Sequence, residues 1–140
     1  MITTTGEYAL RAMARIAQHP ARQYALARDL GKELDIPGNY LSKVLQSLAR
    51  AGLLDSQRGR NGGFRLARAP QDIKLFDILS AVEPMQRYET CILGHKECRD
   101  SDACPIHFMW KKARDKVLRL FRTTPLTKLA RSRSIPRPMR

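Results

Sequence analysis

The stretch IPGNYLSKVLQSLARAGLLDSQRGRNGGFRLAR, residues 36–68, decides the fold. Tyr40, Leu41, Val44, Leu45 and Leu48 recur at helical spacing, which predicts a helix over residues 38–51. Gly52 stands where a left-handed residue would close that helix. Residues 53–57 and 64–67 then read as two short strands. Between them, RGRNGG offers Asn-Gly and Gly-Gly steps, the residues that accept the positive φ angles of a hairpin turn.

Upstream, Leu26, Leu30 and Leu34 lie one turn apart and predict a shorter helix over 24–34. Asp35 to Asn39 interrupts the period with Pro and Gly, a tight turn. Residues 3–19 predict a first helix. Tyr8, Ala9, Ala12, Met13, Ile16 and Ala17 share one face of it, Thr4 or Thr5 caps it and Pro20 stops it. Two short helices joined by a tight turn make a helix-turn-helix, and the hairpin that follows makes it winged. The expected fold class is therefore mainly α with a small β-hairpin wing.

Downstream, Phe76, Leu79 and Val82 mark a short helix over 75–83, with Asp77 near its start and Glu83-Pro84 at its end. Residues 85–104 show no periodicity and hold every cysteine of the chain. A long amphipathic helix over 105–122 carries Ile106, Met109, Trp110, Ala113, Val117, Leu120 and Phe121 as its stripe, with Pro105 in its first turn. Leu126, Leu129 and Ala130 suggest one more short helix. Four arginines and two prolines in residues 131–140 predict a disordered basic tail. The expected division is 1–83 for the winged helix-turn-helix, 84–104 for a cysteine loop, 105–130 for the long helix and the short helix after it, and 131–140 for the tail.

At 140 residues the chain is the size of one domain. No apolar run reaches the roughly 18 residues of a membrane span, and the first residues lack the basic-then-apolar order of a secretory signal. The expectation is a cytoplasmic protein with no membrane partner. A net charge of +13 points to a polyanion. Double-stranded DNA suits it: Asn39, Ser42, Lys43 and Gln46 would lie on the outer face of the third helix, where such side chains read base edges. Tyr40 has a hydroxyl for a phosphate, or a place in the core. Arg58, Arg60 and Asn61 occupy the wing tip, where arginines can enter a minor groove.

Cys91, Cys98 and Cys104 are followed by His107, in the spacing C-x6-C-x5-C-x2-H. Three is an odd number for disulfides, and a reducing compartment disfavours them. The spacing is not that of a zinc ribbon. Soft donors set wide apart suit an iron–sulfur cluster, either [2Fe-2S] or [4Fe-4S], in which histidine can replace one cysteine. His107 is one candidate fourth ligand; Glu7 and His95 are others. A Cys3His zinc site and a metal-free thiol switch, with Lys96 and Arg99 lowering a nearby thiol pKa, are the rival chemistries.

YALRAM, IPGNYLSKVLQSLARAGLL, RGRNGGFRLAR, FDILSAVE and the cysteine loop followed by PIHFMW occur in this order. Together they resemble the Rrf2-type winged-helix transcription regulators of the IscR/NsrR kind, over about residues 5–130. The resemblance implies a homodimeric DNA-binding regulator whose long helix crosses its twin to form most of the interface. It also implies that Cys91, Cys98 and Cys104 hold an iron–sulfur cluster. IscR-type members place a histidine where His107 stands. NsrR-type members use an acidic residue of the first helix, from the other subunit, at the place of Glu7. The six residues between the first two cysteines differ from the five of the better-known members.

These readings combine into a dimer that sets two recognition helices in successive major grooves of a rough palindrome, its affinity tuned by the cluster. An iron–sulfur enzyme or electron carrier is the rival from another class. It would need neither a wing nor this charge, and the sequence has no paired carboxylates near the loop beyond Asp100 and Asp102.

Overall fold

A computed structural model describes residues 2–132 and 135. Seven of the ten residues of the expected basic tail, 133, 134 and 136–140, lie outside the described residues. The elements in chain order are helices α1 (Thr4–Gln18), α2 (Ala27–Leu34) and α3 (Gly38–Arg50), strands β1 (Leu54–Gln57) and β2 (Gly63–Leu66), and helices α4 (Leu75–Ser80), α5 (His107–Thr123) and α6 (Leu126–Ala130).

The first helix is the hub. Ala9, Ala12 and Met13 are fully buried along it, so α3, α4 and α6 can approach closely. Its cap is Thr3, one residue before the expected Thr4, and the Thr3 side chain accepts the Gly6 N–H at 2.9 Å. Leu30, Leu34, Leu41, Leu45 and Leu48 complete one core with α2 and α3. Leu75, Leu79, Tyr88, Leu118 and Phe121 form a second cluster between α4 and α5.

Three boundaries differ from the sequence reading. The second helix starts at Ala27, not 24, because Ala25 pairs with the wing: its N–H donates to Phe64 O at 2.8 Å and its O accepts from Phe64 N at 2.9 Å. The fourth ends at Ser80, and residues 81–83 continue as turns. The fifth starts at His107 with Ile106 as its cap residue, so Pro105 precedes the helix rather than occupying its first turn.

Helix α3 ends as expected. Gly52 has φ +79°, Gly52 N–H bonds Ala49 O, and Leu53 N–H bonds Leu48 O, both at 3.0 Å. That paired closure satisfies two of the last carbonyls and turns the chain into the wing. Strands β1 and β2 pair antiparallel from Leu54↔Leu66 to Gln57↔Gly63. The positive φ angles of the hairpin fall on Gly59 (+102°) and Gly63 (+129°), not on Asn61 or Gly62. Gly62 is required for another reason: a Cβ there would lie 2.1 Å from Gln57 O.

Candidate DNA-reading surface and cysteine loop

Helix α3 buries Leu41, Val44, Leu45 and Leu48 and turns Asn39, Tyr40, Lys43 and Gln46 to solvent, with Ser42 half-buried. Tyr40 therefore leaves the apolar stripe in which its period placed it. Its ring packs edge-on against Tyr8 at 5.5 Å between centroids, and its hydroxyl bonds that of Thr5. Arg58, Arg60 and Asn61 are all exposed at the wing tip. Arg65, lower on the wing, is structural: its guanidinium stacks 4.5 Å over the Tyr24 ring and lies 3.8 Å from Asp55. The turn between α2 and α3 is made by Asp35 in the left-handed region (φ 57°), with Ile36 N–H bonding Gly31 O at 2.9 Å.

The cysteine loop is pinned to α5 at several points. The Trp110 indole donates to Thr90 O and Arg114 Nη1 donates to Glu89 O, each at 3.0 Å. His107 N–H donates to Cys104 O at 2.9 Å, and Lys111 Nζ reaches Asp100 at 3.0 Å. Two of the four expected donors pair at each side of the loop. Cys91 is buried, accepts the Leu93 N–H at 3.4 Å and lies beside the Cys104 thiol. The Leu93 N–H, backbone bonds from His95 and Gly94 and the Cys104 contact hold its thiol below the ordinary value, against burial. Cys98 Sγ lies 3.2 Å from His107 Nδ1. On its other side, the Nε2 of buried His107 lies 2.7 Å from Asp100 Oδ1, so the ring is held between a carboxylate and the Cys98 sulfur. The His107 and Lys111 donors hold the Asp100 carboxyl below its usual range.

Among the described residues, no group of three or more His, Cys, Asp or Glu side chains converges closely enough to hold a metal ion. The two pairs, Cys91 with Cys104 and Cys98 with His107, thus lie on one loop without meeting at one point. His95 is exposed. Glu7 is elsewhere in this chain, ion-paired with Arg11 at 3.0 Å on α1. The donor types still suit an iron–sulfur cluster: three free thiols, one already receiving backbone N–H bonds of the kind that stabilise cluster sulfurs, and a histidine oriented by a carboxylate.

The apolar stripe of α5, expected to form the seam between two protomers, divides into two faces. Phe121 is buried in its own chain, edge-on to Tyr88 at 5.7 Å. Trp110 and Val117 are half-buried on that inward side, and Leu118, which the stripe omitted, is buried there. Ile106, Met109, Ala113 and Leu120 remain exposed on the other face, beside Phe108. Met109 is 76% and Leu120 57% exposed.

The Rrf2 family, described as iron-dependent transcriptional regulators, matches residues 2–132. The chain belongs to the Rrf2 family. Protein rrf2 of Nitratidesulfovibrio vulgaris is 29% identical over 134 residues, covering 96% of this chain and 89% of that protein. The HTH-type transcriptional regulator IscR of Pectobacterium carotovorum is 26% identical over 134 residues, covering 96% and 81%. Among solved structures, CymR of B. subtilis, described as a global cysteine regulator, superposes with a TM-score of 0.79 at 26% identity, covering 93% of this chain and 95% of that one. IscR of T. potens superposes at 0.74, also with 26% identity, covering 92% and 85%. This Rrf2 member is a DNA-binding transcription regulator with a winged-helix fold, from a family of regulators rather than enzymes. Among the described residues, no helix is long and apolar enough to cross a membrane.

Two residues central to this geometry escaped the motif reading. Glu83, read only as a helix end, is 6% exposed; it accepts Thr3 N–H at 3.1 Å, the Thr3 hydroxyl, and the Tyr88 hydroxyl at 2.6 Å. Asp100, seen only as one loop carboxylate, orients His107. No periodicity marks either, since their partners are brought by the fold.

Proposed function

We propose that the chain is a cytoplasmic homodimer that binds a roughly palindromic operator, with an affinity set by an iron–sulfur cluster at Cys91, Cys98, Cys104 and His107. The observation that carries this reading is the oriented histidine: His107 is buried, tied to Asp100 through one nitrogen, and turned to Cys98 through the other. A buried imidazole with its second nitrogen aimed at a sulfur donor is the arrangement of a ligand held by its outer sphere. The cluster, when bound, supplies a redox-active and gas-reactive centre, [2Fe-2S] or [4Fe-4S].

The chain's own residues divide the work. Residues 1–83 read DNA, with Asn39, Ser42, Lys43 and Gln46 toward base edges and Arg58, Arg60 and Asn61 toward the adjacent minor groove. Residues 84–104 carry the signal, and residues 105–130 join two protomers through Ile106, Met109, Ala113 and Leu120, which recur along the exposed face of α5. Tyr88 links loop to reader. It packs on Phe121 of α5 and donates to Glu83, which in turn receives the capping residue of α1. A shift of the loop therefore strains the start of α1, and a coupling of about 1–3 kcal/mol changes affinity by roughly 5- to 150-fold.

Anaerobic purification with iron and acid-labile sulfide analysis tests the cluster. The expected sample is coloured, and serine at Cys91, Cys98 or Cys104 removes iron and changes gel-shift affinity. Colourless wild-type protein with zinc supports the zinc-stabilised reading instead. A second reading, a metal-free thiol switch, is favoured by the separation of the four donors into two pairs. It predicts operator binding that responds to thiol oxidation in protein that contains no iron.

A further inference from the structure

At about 100° per residue, the outer arc of α3 has two sides. Asn39, Ser42 and Gln46 occupy one side, Tyr40 and Ser47 the other, and Lys43 lies between. The Tyr40 side borders a cleft of about 240 Å³ walled by Thr5 of α1, Tyr40, Lys43 and Ser47, with Val44 and Val82 among its apolar backing. No carboxylate lines it among the described residues. The Tyr40 and Thr5 hydroxyls bond each other. Each has one proton, so whichever donates, the acceptor keeps a free O–H. The Lys43 ammonium, exposed at the rim, makes no hydrogen bond or ion pair among the described residues. Ser47 is already engaged, donating to Lys43 O and accepting from Arg50 Nη2, each at 3.2 Å, and serves as wall.

A helix with its side chains is about 10–12 Å across, and the major groove is about 12 Å wide. With the Asn39 side facing the floor of the groove, the Tyr40 side meets the sugar-phosphate wall. We propose that this cleft seats one backbone phosphate of the bound duplex, held by the free O–H of the Thr5–Tyr40 pair and by Lys43. The proposal rests on α3 being the recognition helix, and it adds a contact from α1, outside the helix-turn-helix. It also moves Lys43 from base reading to backbone positioning. Because the seat ties α1 to the wall of the groove, the tilt of the reader on DNA depends on where α1 begins, which is where Glu83 holds Thr3.

Fluorescence anisotropy with a short random-sequence duplex tests it. Thr5→Val and Tyr40→Phe singly leave one hydroxyl able to donate and weaken binding by less than about threefold; the double variant weakens it by about tenfold. Lys43→Met, which leaves the hydroxyl pair in place, lowers the slope of log K against log salt by about 2 for a bound dimer, about 1 per protomer, whereas the double variant leaves the slope unchanged. A folded double variant that binds as tightly as wild type overturns the seat, as does an unchanged slope for Lys43→Met. Should the double variant fail to fold, the Lys43→Met slope decides alone. Wild-type protein that ignores the duplex overturns the recognition-helix reading itself, a separate failure. Melting with millimolar inorganic phosphate at fixed ionic strength should give no rise that depends on the hydroxyl pair. A rise that the double variant loses assigns the cleft to free phosphate and overturns the DNA seat.

Discussion

Glu83 joins three parts of the chain through one carboxylate. Burial pushes its pKa up, but the Thr3 and Tyr88 hydroxyls, the Thr3 N–H and the Arg87 charge outweigh that and hold it below the ordinary 4.5. The same contact, with burial as the larger cause, raises the Tyr88 phenol well above its usual range. A carboxyl whose pKa is lower folded than unfolded stabilises the fold fully above the unfolded value. That stabilisation is lost as pH falls below about 4.5 and through the folded value. Glu83→Gln should therefore cost about 1–3 kcal/mol near neutral pH, and it should flatten the acid limb of a plot of urea midpoint against pH. An acid limb identical in both proteins would contradict this role. Sequence could not announce Glu83, because Thr3 lies 80 residues away from it. It is a charged residue before a proline, and helix termination accounts for that pattern equally well.

At the scale of elements, periodicity found the eight pieces, and the errors sit where something other than period decides. Ala25 is drawn into the sheet by Phe64, a long-range pairing, so α2 starts late. Tyr40 has the spacing of a core residue but the exposure of a surface one, because α1 offers its ring only the edge of Tyr8. The α5 stripe was wide enough to cover two faces, and only the packed chain separates Leu118 and Phe121 from Met109 and Leu120. The wing makes a sharper demand. Gly63 has φ +129°, and a Cβ there would lie 2.3 Å from Ala25 O, the acceptor that pairs with Phe64. Gly63→Ala should cost about 1–3 kcal/mol through backbone strain and displace the wing. Thermal melting should fall, and DNA affinity should drop further than in Arg58→Ala. A Gly63→Ala protein with wild-type melting would show that the wing has more slack than this contact allows.

For the whole molecule, charge and apolar surface make separate predictions. If a dimer neutralises about eight phosphates, log K should fall with log salt at a slope near −7, read by anisotropy across a salt series. A flat response would count against the +13 charge acting on DNA. Leu120→Glu places a charge on the exposed face of α5 without touching the intrachain core, so it should yield folded monomer by sedimentation velocity and weaken operator binding. The fold class was legible because winged helices are written in local signals: caps, turns and short periods. The loop's donor set was legible as composition, but its division into two pairs was not, because that depends on hydrogen bonds from α5.

The loop's ends are each tethered to that helix, by Trp110 and Arg114 near Thr90 and by His107 at Cys104. Between these moorings the chain behaves as a cassette. A residue gained or lost there would leave both moorings available to the helix. Descendants could thus trial new sensing chemistries one amino acid at a time while keeping the two anchor points through which the loop's state is felt.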